Sequence, residues 1–218
     1  PMRALIVGGG RVGRELAERL ESRGEEVVII ENDQQVVEEL RRAGRTVHNG
    51  DGTEQQVLEK AGIENAKIVA LATRDDDVNL LVGQLARNTY DVETVVARVN
   101  EPSNLDAFED IDIEAISTSM SVAWSMDNVI ERPDISRWMR ELDEEGDVQE
   151  IEVTSKEHAG KTVSELTDEL PEGCHLALIS RNESNRLPEP DDRIEIGDHL
   201  TFIGRREAVR DAIAYCTT

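Results

Sequence analysis

The chain has 218 residues, with 47 acidic against 24 basic side chains, a formal net charge of −23. So acidic a surface repels phosphate backbones and argues against a nucleic-acid partner. Two cysteines far apart in sequence, Cys174 and Cys216, form neither a disulfide framework nor a paired metal motif, and no apolar run approaches the roughly 18 residues of a membrane span.

The elements begin with a strand, "ALIVG", that enters the glycine cluster Gly8-Gly9-Gly10-Arg11-Val12-Gly13. The helix that follows places Val12, Leu16, Ala17 and Leu20 on one face, and Gly24 suits its end. A second strand, "VVIIE", ends at Glu31. Asp33 can then cap a helix with Val36, Val37 and Leu40 on its apolar face. "TVHNGD" is a short third strand, and Thr53 followed by Gln56 predicts a capping box. "KIVALAT", "TVVARV" and "IEAIS" are further strands, separated by a helix around "DDDVNLLVGQLARN" and another begun at Pro102. Continuous apolar strands alternating with amphipathic helices predict a parallel sheet covered on both faces, in the order 3-2-1-4-5-6.

After Ser117 the pattern changes. "SMSVAWSMDNVIERPDISRWMREL" reads as two helices separated at Pro133, the first apolar around much of its circumference and both carrying a tryptophan, Trp124 and Trp138. They either pack on their own domain or cross onto a second subunit. "DEEGD" from Asp143 reads as a polar linker. Beyond it, "VQEIEVT", "CHLALISR", "RIEIG" and "HLTFIGR" read as strands, with short helices around "KTVSELT" and "REAVRDAIAY". The fold class is therefore α/β: a Rossmann-like doubly wound sheet in residues 1–142, including crossover helices at about 119–141, and a smaller α+β domain in 147–218.

The glycine cluster carries the chemistry. It follows a strand, opens a helix, and is answered about twenty residues later by an acidic strand end, the context that distinguishes a dinucleotide turn from chance glycines. Gly8 permits the turn, Gly10 lets the backbone approach a pyrophosphate, and Gly13 lets the helix pack closely. Free amides at the start of the helix would stabilise the anion. Glu31 can accept from both ribose hydroxyls, and the absence of a following arginine disfavours a 2′-phosphate. Asp33 serves equally as a helix cap or a ligand contact. Other strand ends contribute Asp51, Thr73-Arg74 and Arg98. Thr73 could donate to a phosphate or ribose oxygen, and Arg98 could pair with a pyrophosphate or with neighbouring carboxylates. Asn79 reads equally as a helix-surface residue. His48, His158, His175 and His199 share no metal spacing, and no nucleophile motif appears. No catalytic or metal site is expected.

With "IVGGGRVG", "VVIIENDQQVVEEL", "NGDGTEQQVLEKAGI", "ALATRDDDVNLLVGQLAR", "VVARVNEP", "HAGKTVSEL", "ALISR" and "GDHLTFIG" in this order, the chain resembles the regulatory subunits of Trk/Ktr potassium uptake systems. The resemblance implies a domain that regulates K+ conductance, with an N-terminal nucleotide-binding part and a C-terminal ligand-binding part. It implies a nucleotide held by Gly8–Gly13, Glu31, Thr73-Arg74 and Arg98 without chemistry upon it, in a family divided between NAD(H) and ATP or ADP; the intact glycine turn and Glu31 favour NAD(H), with ATP or ADP the alternative. It further implies dimers that exchange helices, a higher ring assembled from such subunits, and a membrane potassium transporter or channel as partner at the inner face of the membrane. The alternative function is a small NAD-dependent dehydrogenase using the same turn.

The charge speaks of habitat. Lysine occurs only at Lys60, Lys67, Lys156 and Lys161, and an acid-rich, arginine-dominated surface fits a protein that works in high salt, where screening suppresses self-repulsion. The thermal unfolding midpoint should fall steadily as KCl is lowered from molar to millimolar. A midpoint that stays level or rises on dilution would contradict the halophilic reading.

Overall fold

Six apolar runs become the strands of one parallel sheet: β1 (Arg3–Val7), β2 (Glu26–Glu31), β3 (Val47–Asn49), β4 (Ile68–Leu71), β5 (Thr94–Val99) and β6 (Glu114–Ser117), in the order β3-β2-β1-β4-β5-β6. The computed structural model describes residues 2–155, 158–182 and 184–217, those at 141–145 and 217 by backbone alone. The central strands β1, β2 and β4 are buried on both faces, so helices must cover both. Helices α1 (Arg11–Ser22) and α2 (Gln34–Arg42) bring Ala17 and Leu40 onto Ala4, Ile6, Val27, Ile29, Ala70 and Ala72. On the opposite face α3 (Gln55–Ala61), α4 (Asp76–Gln84) and α5 (Leu105–Glu109) pack Leu58, Val82 and Phe108 onto Leu5, Val7, Val69, Leu71, Val95, Ala97 and Val99. Alternation along β5 then places Val96 and Arg98 on the α1–α2 side of the sheet.

The strand order is the one the sequence predicts. Two local expectations are corrected. The capping box at Thr53 does not form: the Thr53 hydroxyl donates to Asp51 Oδ1 at 2.7 Å, and α3 starts after Glu54, which makes no side-chain cap. Asn79 is no surface residue; it is 0% exposed.

The chain divides into two compact units, Pro1–Met126 and Asp127–Thr218, the boundary falling within α6 (Thr118–Glu131). Helix α7 (Pro133–Glu145) starts at its proline, where the missing amide is no loss. It runs directly into β7 (Gly146–Glu152), so the polar "DEEGD" stretch is helix end and strand start rather than an irregular linker. Met120, Val122, Trp124, Met126, Val129 and Ile130 of α6 are exposed, as the wide apolar coverage of that helix foreshadows. Among the described residues no helix is long and apolar enough to cross a membrane.

In the second unit β7, β8 (Cys174–Arg181), β9 (Ser184–Arg186) and β10 (His199–Arg205) form an antiparallel sheet in the order β7-β10-β8-β9. Helices α8 (Val163–Glu169) and α9 (Arg206–Thr217) bury Leu166, Val209 and Ala212 with Ile179, Leu200 and Phe202. A capping box that the sequence reading missed starts α8, with Thr162 and Glu165 each accepting the other's backbone amide. "RIEIG" is not a strand; it contributes only a bridge from Arg193 to Thr162. Both cysteines are free and buried.

Arg181 explains the loss of that strand. Its guanidinium grips Asp198 through Nε at 2.6 Å and Nη2 at 2.8 Å, reaches Glu195 at 2.7 Å and donates to the Arg193 carbonyl at 2.9 Å. Residues 193–198 are thereby folded around one cation. Burial pushes the Asp198 carboxyl up, but the Arg181 fork and the Glu195 amide outweigh it and hold the group below the ordinary carboxylate range. A depressed carboxylate contributes stability that is present above its unfolded pKa, about 4, and is lost as pH falls through the folded value. Asp198→Asn should therefore lower stability near neutral pH by about 1–3 kcal/mol, through the loss of charge-assisted hydrogen bonds from Arg181 and the Glu195 amide. It should also flatten the acid limb of the stability–pH curve, and thermal melts from pH 7 to pH 3 measure both effects.

Candidate functional site

The turn between β1 and α1 is shaped by what a side chain would strike. Gly8 has φ of +108°, a conformation L side chains rarely adopt, and its amide donates to the Ile30 carbonyl at 2.9 Å. A Cβ on Gly13 would lie 1.9 Å from the Gly8 carbonyl oxygen, so the helix rests directly on the turn. Gly10 is the opposite case, with nothing within 4 Å of a Cβ placed there. It is the N-cap of α1, has ordinary extended angles, and supplies no side chain to cap the first amides of the helix. Those amides and the helix dipole face open space, a ready site for an anion. Arg11 and Val12 flank it. The sequence places Val12 on the apolar face of α1; the structure leaves it 45% exposed, because the first turn of the helix projects past the sheet.

Glu31, at the end of β2, holds the turn from the other side. Its Oε2 accepts from Gly9 N at 2.7 Å and its Oε1 from Asn32 N and Asp33 N, both at 2.8 Å. Three of its roughly four acceptor positions are thus engaged by backbone, leaving room for one ribose hydroxyl without rearrangement rather than two. Asp33 resolves to a helix cap, accepting from Gln35 N at 2.8 Å and Val36 N at 3.3 Å. Arg14 escaped the sequence reading. Its Nε donates to the Gly9 carbonyl at 2.8 Å and its Nη2 to Glu39 at 2.7 Å, so both backbone groups of Gly9 are held by side chains. An arginine in a helix carries no sequence signal for such a contact.

Thr73 follows β4 and Arg98 lies in β5, and the buried amide of Asn79 joins them. Asn79 Nδ2 donates to the Thr73 carbonyl at 3.2 Å and to the Arg98 carbonyl at 2.9 Å. Arg98 makes no ion pair among the described residues, and its Nε is buried without a partner there. Arg74 is exposed. Asp76, at the start of α4, is saturated: it accepts from Asn100 N at 2.8 Å, Glu101 N at 3.0 Å and Asn104 Nδ2 at 2.9 Å, fixing the loop after β5. Burial works against its charge, but these donors prevail and lower its pKa. Asp51 lies beyond the far side of β2 and closes its own turn on Thr53, whose amide and hydroxyl lower its pKa. The strand ends thus gather the glycine turn, Glu31, Thr73 and Arg98 around the point where the strand order reverses, between β1 and β4. Among the described residues no group of three or more His, Cys, Asp or Glu is placed to hold a metal.

Comparison with known proteins matches the two parts of this architecture. Residues 4–119 fit the family model of the TrkA-N domain and residues 148–217 that of the TrkA-C domain. Over 213 residues the chain is 30% identical to a Trk system potassium uptake protein TrkA homolog of Methanothermobacter thermautotrophicus, with 97% of both chains covered. The solved GsuK channel bound to NAD aligns with all of this chain and 39% of its own, at 24% identity and a TM-score of 0.55. The structure of GsuK bound to ADP aligns with 61% of this chain and 35% of its own, at 25% identity and a TM-score of 0.54. The dehydrogenase alternative gives way to these matches. The chain belongs to the TrkA family and is a regulatory protein of potassium transport rather than an enzyme.

Proposed function

We propose that this chain is the cytosolic nucleotide sensor of a potassium transporter or channel, attached to the inner face of the membrane through that partner. The observation that carries the nucleotide reading is the uncapped start of α1 at Gly10, open to solvent beside a carboxylate at the end of β2. A pyrophosphate would lie on the amides of Gly10, Arg11 and Val12. Gly8, Gly9 and Gly13 keep the turn in place, Glu31 receives a ribose hydroxyl, and Arg98 offers its unpartnered Nε to the anion. Arg74 adds an exposed cation and Asp51 a carboxylate at the rim. NAD(H) is the favoured ligand and ATP or ADP the alternative, and the ADP complex of the 25% identical channel supports an adenine nucleotide as such. Residues 1–142 act as the nucleotide-binding domain and 147–218 as a second ligand-binding domain. The exposed apolar face of α6 is the surface on which copies of the chain pair and from which a ring is built. The ligand biases the partner only through its difference in affinity between two arrangements of those pairs.

Gly10→Val tests the site cleanly, because the backbone there accepts a valine and a Cβ meets nothing. Its melting temperature should match the wild type while calorimetry finds no NADH binding. Glu31→Ala should weaken NADH by about 1–3 kcal/mol. Unchanged affinity in both variants would remove the nucleotide from this turn.

Light scattering tests the assembly. The wild-type protein should be at least a dimer at micromolar concentration in high salt with NADH, and Trp124→Asp, a charge on the apolar face, should yield monomers or aggregate. A monomeric wild type under those conditions would overturn the pairing.

A further inference from the structure

Thr73 sits on the β4 side of the glycine turn, and its hydrogen-bonding sense is set by its neighbours. The Asn79 amide can point only one way. One of its ends faces two backbone carbonyls, those of Thr73 and Arg98 at 3.2 and 2.9 Å, and must be the NH2 group, since an oxygen there would confront two acceptors. The other end is therefore the carbonyl oxygen. It lies 2.6 Å from Thr73 Oγ1 and also accepts from Thr73 N at 3.3 Å. A hydroxyl has one hydrogen to give. The two protein acceptors around Thr73 Oγ1 are Asn79 Oδ1 and, at 3.1 Å, the carbonyl of Asp75, and both belong to the α4 corner. Whichever takes it, the hydrogen points into the protein. One oxygen lone pair accepts from Asp75 N at 3.3 Å, and the other is left for a ligand.

We infer that Thr73 is a specificity-determining residue that accepts, and does not donate, a hydrogen bond at the β4 side of the site, so that it selects a ligand carrying a hydroxyl or amide donor beyond its pyrophosphate. This rests on the nucleotide site proposed above. With the adenosine ribose at Glu31 on β2 and the pyrophosphate on the turn after β1, a ligand extends toward the next strand, β4. A dinucleotide puts its second ribose there, with hydroxyl hydrogens to give. A nucleoside triphosphate puts terminal phosphate oxygens there, which only accept, and two acceptors in contact repel. Arg74 and Arg98 attract the pyrophosphate that both ligand classes share. The Asn79-fixed hydroxyl distinguishes what lies beyond it, and the sequence expectation that Thr73 donates to phosphate is reversed.

Calorimetry on the full chain with NADH, ADP-ribose, ADP and ATP tests this. Thr73→Val, close to isosteric, should weaken NADH and ADP-ribose about threefold to tenfold, the range for one neutral hydrogen bond, leave ADP unchanged and bind ATP no more weakly than the wild type does. Thr73→Ser, which keeps the hydroxyl, should match the wild type for all four. Independently of any variant, ADP-ribose deoxygenated on its terminal ribose should bind the wild type as weakly as ADP-ribose binds Thr73→Val. Equal losses for ATP and ADP in Thr73→Val would show a donor to phosphate and overturn the inference. Unchanged NADH affinity in that variant would do the same. A wild type that binds none of the four ligands would instead overturn the nucleotide site itself, and this inference with it.

Discussion

The contact between Gly13 and the Gly8 carbonyl governs the first unit. A Cβ on Gly13 would lie at 1.9 Å from that oxygen, far inside any tolerable approach, so helix α1 can start where it does only with glycine there. That closeness aims the axis of α1 at the ends of the strands and leaves Gly10 bare at its tip. It also places Arg14 one turn up, where it reaches the Gly9 carbonyl and Glu39 of α2. The turn, the first helix and the second helix are thus one connected object, and Glu31 closes it from β2.

Asn79 performs the corresponding task across the sheet. Fully buried, it ties the exit of β4 to β5 through two backbone carbonyls, while Asp76, three residues earlier, ties α4 to the loop after β5. A buried amide is tolerable only when its donors and acceptor are satisfied, and here they are. The consequence is an α4 corner in which the hydrogen-bonding sense of Asn79 and Thr73 is fixed. A comparable economy appears in the second unit, where a single guanidinium organises residues 193–198.

How much of this was legible follows from what kind of information each feature uses. Strand order was legible because continuous apolar runs and right-handed crossovers leave few arrangements. The glycine turn was legible because steric need concentrates in three positions. The role of Asn79 was not, because its burial depends on two strand ends that meet only in three dimensions. Thr53 to Gln56 matched a capping box, but Asp51, two residues upstream, captures the hydroxyl first. "RIEIG" alternates like a strand, yet Ile194 is buried and Ile196 exposed, which a half-buried strand would not allow, because Arg181 curls the segment around itself. Arg14 and Arg181 share the reason they were missed: an arginine's reach exceeds any local pattern.

The glycine turn is already assembled by the chain's own contacts. Both backbone groups of Gly9 are held by side chains, Glu31 is anchored by three amides, and the helix behind is seated. Little chain entropy remains to be lost there when an anion arrives, so association need not wait for a loop to order. A rigid receptor also has a limit, since it cannot itself be the element that changes shape. If the proposed nucleotide biases two arrangements of the chain, the change of shape falls at places the turn does not control. Freedom of that kind belongs to segments whose apolar surface has no partner within their own unit, and the exposed face of α6 is such a segment.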